Sequence, residues 1–158
     1  MNSFPKQQIL DICHKYGPQL HVPTGLDGAK VMIAISSNES SIGANCGPRH
    51  EPSYDVGGHV YATNARQRAL VATYGQDAAM SYGPWQLMFY NFPSGVTPFQ
   101  ANKDLELNAQ AFMTQFNNYV IRACKAQTLE EIGEVWNMGH ICADKAYTDK
   151  LQAAYSLL

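Results

Sequence analysis

The sequence predicts a mainly α fold, built as one domain over residues 1–158, with a small irregular or β-hairpin lobe around residues 40–62. Three observations predict it. The 158 residues are 46% apolar, enough for one real core. Apolar residues recur at helical spacing behind capping signals along most of the chain. Only one stretch, residues 40–62, collects enough glycine and proline to forbid a helix.

The elements follow in order. A first helix spans Phe4–Tyr16, with Ser3 as cap, Pro5 in the first turn, and Ile9, Ile12, Cys13 and Tyr16 on one face. Gly17-Pro18 stops it, and a Pro/Gly-rich loop runs to Gly25. Asp27 caps a second helix carrying Val31, Ala34 and Ile35, which runs out at Ser36-Ser37-Asn38-Glu39. Gly43, Asn45, Gly47, Pro48, Pro52, Gly57 and Gly58 make the lobe. A third helix spans Asn64–Tyr74 and turns at Gly75. Ser81–Pro84 is a turn before a short helix at Trp85–Tyr90. Thr97-Pro98 opens another helix. The longest helix covers Asp104–Lys125, with Leu105, Phe112, Phe116, Tyr119, Val120 and Cys124 at helical spacing. Thr128 and Glu131 form a capping box for a helix to Trp136. A final helix, Asp144–Leu157, buries Tyr147, Leu151, Ala154 and Tyr155.

Composition narrows the function. Eleven basic and 13 acidic residues give a net charge of −2, against the basic patch of a nucleic-acid binder. No apolar run reaches membrane-spanning length. Residues 1–10 lack the cationic start and apolar block of a signal peptide. Charged residues are only 15% of the chain, and Asn, Gln, Ser and Tyr stand in their place, a surface suited to an uncharged polyol. Cys13, Cys46, Cys124 and Cys142 are widely spaced, so they read as buried or loop thiols, or as two disulfides in an oxidising compartment.

Glu39 is the most informative carboxylate. The dipole at a helix C-terminus disfavours negative charge, and partial burial does the same, so both raise its pKa. A carboxyl still protonated near neutrality is what a glycosidase needs to protonate a leaving oxygen. The plain alternative is a solvated helix end. Glu51 and Asp55 lie in the lobe that could fold back over that end, either one a base or a stabiliser of an oxocarbenium-like transition state. The alternative for Glu51 is an ion pair with Arg49, two residues away. In Ser81–Tyr90, Tyr82, Trp85 and Tyr90 can stack on sugar faces, and Gln86 can donate and accept hydrogen bonds. The apolar members there can equally be core.

Together these segments resemble the lysozyme-like superfamily of goose-type lysozymes and lytic transglycosylases. Glu39-Ser40 at a helix end is followed by the Gly-x-x-Gln turn Gly83–Gln86. The branch of bacterial and phage N-acetylmuramidases is closest, through Arg49-His50-Glu51-Pro52 and Ala79-Met80-Ser81-Tyr82-Gly83-Pro84-Trp85-Gln86. Gln110-Ala111-Phe112 and Trp136-Asn137-Met138-Gly139 are also similar to that pattern. The resemblance covers about residues 27–155. It implies a lysozyme-like helical domain, with Glu39 as general acid and Glu51 as second carboxylate. It also implies that Ser81, Tyr82, Gln86 and Tyr90 line sugar subsites, with Asn137 and Tyr147 on the opposite wall. Asp55, a possible second acid, has no counterpart. The family's Gly-Leu-Met-Gln is Gly83-Pro84-Trp85-Gln86 here, and its Glu-Ser-Gly-Gly is Glu39-Ser40-Ser41-Ile42.

The implied activity is a peptidoglycan-degrading muramidase that cleaves the β-1,4 bond between N-acetylmuramic acid and N-acetylglucosamine. It needs no cofactor or metal and acts as a monomer on glycan strands. A phage or bacterial chain held in the cytoplasm until release to the cell wall fits the missing signal peptide. Three alternatives stand beside it. A lytic transglycosylase would use Glu39 alone and leave 1,6-anhydro products. A zinc amidase would draw on Cys46, His50, Glu51, Asp55 and His59, although His-Glu-x-x-His is absent. A glycan-binding protein would use the same cleft without turnover.

Overall fold

The computed structural model describes residues 3–158 and is mainly helical, with a small three-stranded antiparallel sheet. The helices are α1 (Lys6–Tyr16), α2 (Gly28–Ser40), α3 (His59–Thr63), α4 (Ala65–Tyr74), α5 (Pro98–Lys103), α6 (Leu105–Gln115), α7 (Leu129–Met138) and α8 (Lys145–Ser156). The strands are β1 (Arg49–His50), β2 (Met80–Tyr82) and β3 (Leu87–Met88), in the order β1-β2-β3.

α2 is the axis of the molecule. Val31 through Ser36 are all buried, so the helix is enclosed on every side rather than on one stripe. It packs chiefly against α1 and α8, and α8 in turn against α7. Asp27 caps it as expected, accepting from the Lys30 N–H at 3.0 Å. Gly17 lets α1 approach: a Cβ there would stand 2.4 Å from the Ala29 backbone. Below the helix end, Trp85, Phe112, Phe116 and Trp136 form an aromatic floor, with centroids 5.2 Å apart for Trp85–Phe112 and 4.7 Å for Phe112–Trp136.

Several local expectations are corrected. Ser3 does not cap α1; Pro5 holds the N-cap position, and no side chain caps that end. The lobe contains no hairpin of its own. Its one strand, β1, pairs with β2, Arg49 opposite Ser81 and His50 opposite Met80, so the partner lies outside residues 40–62. The hairpin forms instead between β2 and β3, around Gly83–Gln86. This replaces the helix expected at Trp85–Tyr90, because Gly83 and Gln86 both hold positive φ, +76° and +48°. The long helix divides: α6 ends at Gln115, and Phe116–Ala123 is a π-helix. Thr128 caps α7 by accepting from the Glu131 N–H, but the Glu131 carboxylate reaches the Gln127 N–H rather than closing the box on Thr128. All four cysteines are free thiols, and burial pushes Cys13 up to about 12.

Candidate active site

The end of α2 carries Glu39 into the floor of a cleft of about 790 Å³. The chain reverses at once, through Ser41 and Ile42 at φ +54° and +52°. Ser40 fixes this corner. It is buried, its hydroxyl donates to the Pro84 carbonyl at 2.7 Å, and it accepts from the Gly43 N–H at 2.9 Å. One side chain thus ties the helix end to both the β2–β3 turn and the lobe. In the turn, a Cβ on Gly83 would meet Asn108 Oδ1 at 2.0 Å, so glycine is required by space as well as by φ.

The Glu39 side chain is only 14% exposed. Tyr147 donates its hydroxyl to Glu39 Oε1 at 2.7 Å, and the Arg49 guanidinium lies 3.6 Å from Oε2. Arg49 also donates to the Glu39 backbone carbonyl. Burial pushes the carboxyl above its ordinary range. The Tyr147 hydrogen bond and Arg49 pull it back, and the charge of Glu51 adds to the upward push. The net direction is upward, and burial is its largest cause. Arg49 therefore pairs with Glu39, not with Glu51.

Glu51 lines the same cleft. Its N–H donates to the Ala79 carbonyl at 2.8 Å, which extends the β1–β2 pairing and sets the residue's place. The buried Ser81 hydroxyl lies 3.3 Å from Glu51 Oε1 and 2.9 Å from Gln86 Oε1, and it can donate to either. Gln86 spends its amide on the Gly83 carbonyl at 2.9 Å. Glu39, Glu51 and Gln86 thus meet in one cleft; Ser40 holds its backbone corner, and Ser81, expected to line it, is instead buried behind it against the Glu51 and Gln86 side chains.

The remaining expected residues separate. Gln86, Tyr90 and Asn137 line the cleft. Tyr147 reaches Glu39 but otherwise faces a smaller neighbouring pocket. Tyr82 is 2% exposed and donates to the Asp77 carbonyl, so it is core. Trp85 is fully buried, with its Nε1 donating to the Met32 carbonyl at 3.0 Å, and cannot stack on a sugar. Asp55 does not line the cleft. It pairs with His50 Nε2 at 2.8 Å, and the Val56 N–H with His50 holds its carboxyl below the ordinary range. Cys46 is buried, with its thiol on the Gly43 carbonyl. Among the described residues no three His, Cys, Asp or Glu side chains gather to hold a metal.

Sequence reasoning missed Tyr54, Asn64 and Tyr119, which also line the cleft. Asn64 donates to the Tyr90 hydroxyl at 3.1 Å. Tyr54 is steadied by buried Gln67, whose amide donates to the Tyr54 carbonyl at 2.8 Å. Tyr119 reads as part of a buried stripe, yet it is 40% exposed, with its hydroxyl donating to the Gly139 carbonyl at 2.7 Å. The π-helical register around it is no longer that of an α-helix, and such segments often mark functional sites.

A scan against protein-family models, a comparison with curated proteins and a comparison with solved structures give no significant match for this chain.

Proposed function

We propose that this chain is a glycoside hydrolase of muramidase type, acting on the β-1,4 bond between N-acetylmuramic acid and N-acetylglucosamine. The observation that carries the reading is the Glu39 carboxyl. It is nearly enclosed, its pKa is displaced upward, and it sits in a cleft beside a second carboxylate, Glu51. Proton-holding and charged carboxyls in one groove are the equipment of acid-assisted glycoside cleavage. Glu39 gives its proton to the bridging oxygen as the bond breaks. Glu51 orients water or supports the positive charge that develops on the sugar. Tyr54, Tyr90 and Tyr119 offer ring faces along the groove, and the Asn137 carboxamide oxygen, left open by its one donated bond, can accept from hydroxyl and acetamido groups.

The turn after α2 supports the same reading. Where the resembled family carries Gly-Gly after Glu-Ser, Ser41 and Ile42 occupy left-handed backbone, the conformation that favours glycine. The reversal is kept although the glycines are gone.

Mass spectrometry of the products from purified peptidoglycan tests the proposal, with Glu39→Gln as control. Muramic-acid reducing ends, lost in Glu39→Gln, are the expected result. Ends in the 1,6-anhydro form would assign a lytic transglycosylase. Cleaved peptide amides would assign an amidase, and unchanged polymer a binding protein.

A further inference from the structure

The turn after Glu51 brings two unspent polar groups to the cleft. Pro52–Tyr54 forms one 3₁₀ turn, closed by the Tyr54 N–H on the Glu51 carbonyl at 2.9 Å. Glu51 and Tyr54 both line the cleft. Gln67 clamps the turn from behind. It is fully buried, and its amide donates to the Tyr54 carbonyl at 2.8 Å and to the Ala78 carbonyl at 3.0 Å. The next residue, Ala79, accepts from the Glu51 N–H at 2.8 Å. Both ends of the turn are thus tied to one short stretch of chain. Gly58 packs against the turn as well: a Cβ there would collide with the Pro52 and Ser53 carbonyl oxygens. A turn held in this way presents its side chains in fixed positions.

Neighbouring side chains of the cleft already have partners. Tyr119 donates to the Gly139 carbonyl, Gln86 donates to the Gly83 carbonyl, and Tyr90 accepts from Asn64. Among the described residues, none bonds to the Tyr54 hydroxyl, and its oxygen is not sealed in the interior. Nor does any of them bond to Glu51 Oε2, because Ser81 faces Oε1 alone. Burial raises the Tyr54 pKa, and the charge of Glu51 with the phenols of Tyr90 and Tyr119 raises it further, so the hydroxyl keeps its proton. A neutral hydroxyl can accept a hydrogen bond as well as donate one. A water between this hydroxyl and the free carboxylate oxygen has a partner for each of its hydrogens.

We propose that Tyr54 is a further catalytic residue, which together with Glu51 holds the water that attacks the anomeric carbon. The water donates one hydrogen to Glu51 Oε2 and the other to Tyr54 Oη, which leaves an oxygen lone pair for the sugar. Glu39 passes its proton to the bridging oxygen as the bond between that oxygen and the anomeric carbon breaks. The water oxygen bonds to the anomeric carbon, and the proton it loses goes to Glu51. One water is consumed, and proton exchange with solvent restores both carboxyls. The inference rests on the glycan-cleaving reading above and commits it to water as the nucleophile.

Methanol tests the arrangement. It has one hydroxyl hydrogen, for Glu51, and a methyl group where the second hydrogen would meet Tyr54. Wild type should therefore favour water over methanol, and Tyr54→Phe should lose that preference. Soluble peptidoglycan oligosaccharides are cleaved in dilute methanol, and mass spectrometry compares methyl glycosides with muramic-acid reducing ends. The ratio should rise about three- to tenfold in Tyr54→Phe, the worth of one hydrogen bond. The ratio is internal to each digest, so it does not depend on how much of the variant is folded. A ratio equal to or below that of wild type overturns the role of Tyr54, whatever the rate. Complete loss of turnover in Tyr54→Phe overturns it too, being more than one hydrogen bond accounts for. So does wild-type cleavage that yields only 1,6-anhydro ends, since no water is then used. A wild type that cleaves no glycan overturns it together with the underlying reading, and only that result touches both.

Discussion

Tyr147 and Glu39 stand 108 residues apart in the chain and meet through a 2.7 Å hydrogen bond, phenol to carboxylate oxygen. α8 thereby sets the ionisation of a group delivered by α2. The bond favours the charged form of Glu39, as Arg49 does, and both oppose the burial that favours the proton. The Glu39 carboxyl is balanced between the two, with burial ahead.

That balance fixes the direction in which the pH profile moves. Tyr147→Phe removes a bond that lowers the Glu39 pKa, so the acid keeps its proton to higher pH. The basic limb of kcat/KM against pH should shift upward, and Arg49→Gln should shift it the same way. A downward shift in Tyr147→Phe would contradict the assignment of Glu39 as the group on that limb. Glycan turnover followed across the pH range reads both variants.

Glu39→Gln should cost activity and add stability. General acid catalysis contributes about 10²–10⁴-fold, so turnover should fall by that order. Stability follows from linkage. The folded-state pKa lies above the ordinary value of 4.5, so the stability due to the bound proton is complete below that pH and lost as pH rises through the folded value. Glutamine has no proton to lose. The melting temperature of Glu39→Gln relative to wild type should therefore rise from acid to neutral pH. A difference independent of pH would show that Glu39 meets no ionisation penalty in the fold.

Much of this was legible in the sequence, for physical reasons. Caps are local, so Asp27, Thr97 and Thr128 each hold the helix start expected of them, whereas Ser3 does not. Glu39 could be placed because helix end and burial both follow from a short window. The sheet could not be read. β1 and β2 are two and three residues long and pair across 30 and 32 positions, His50 to Met80 and Arg49 to Ser81, with no alternation pattern of sufficient length. Nor could the destination of the aromatics. Tyr82, Trp85, Tyr90 and Tyr119 are equally apolar in sequence, and only tertiary packing sends two to the core and two to the groove.

That partition separates two substitutions. Trp85→Ala leaves a cavity in the aromatic floor and frees the Met32 carbonyl, at a cost of about 3–5 kcal/mol in unfolding free energy. Tyr119→Ala removes a half-exposed ring from the cleft wall, so it should weaken oligosaccharide binding with little change in the denaturation midpoint. Urea unfolding beside calorimetric titration with a peptidoglycan oligosaccharide distinguishes them. Intact binding by Tyr119→Ala would remove that ring from the sugar site.

The reversal after α2 gives the last test. Ser41 is exposed and holds φ +54°, ψ +50° while its N–H closes the helix on Ser36 and Ser37. An L-residue in this region costs about 1–2 kcal/mol, and glycine escapes most of that but loses more entropy on folding. Ser41→Gly should therefore stabilise the protein by about 0.5–1 kcal/mol. Ile42 has similar backbone strain but a half-buried side chain packed on the core, so Ile42→Gly gives back in lost contact what it gains in relief. Urea midpoints of the two variants should thus move apart, Ser41→Gly upward and Ile42→Gly flat or downward. The same pair bears on the site. If the left-handed turn serves only to place Glu39, both variants should keep the pH profile of the wild type, because each preserves the conformation that the turn already has.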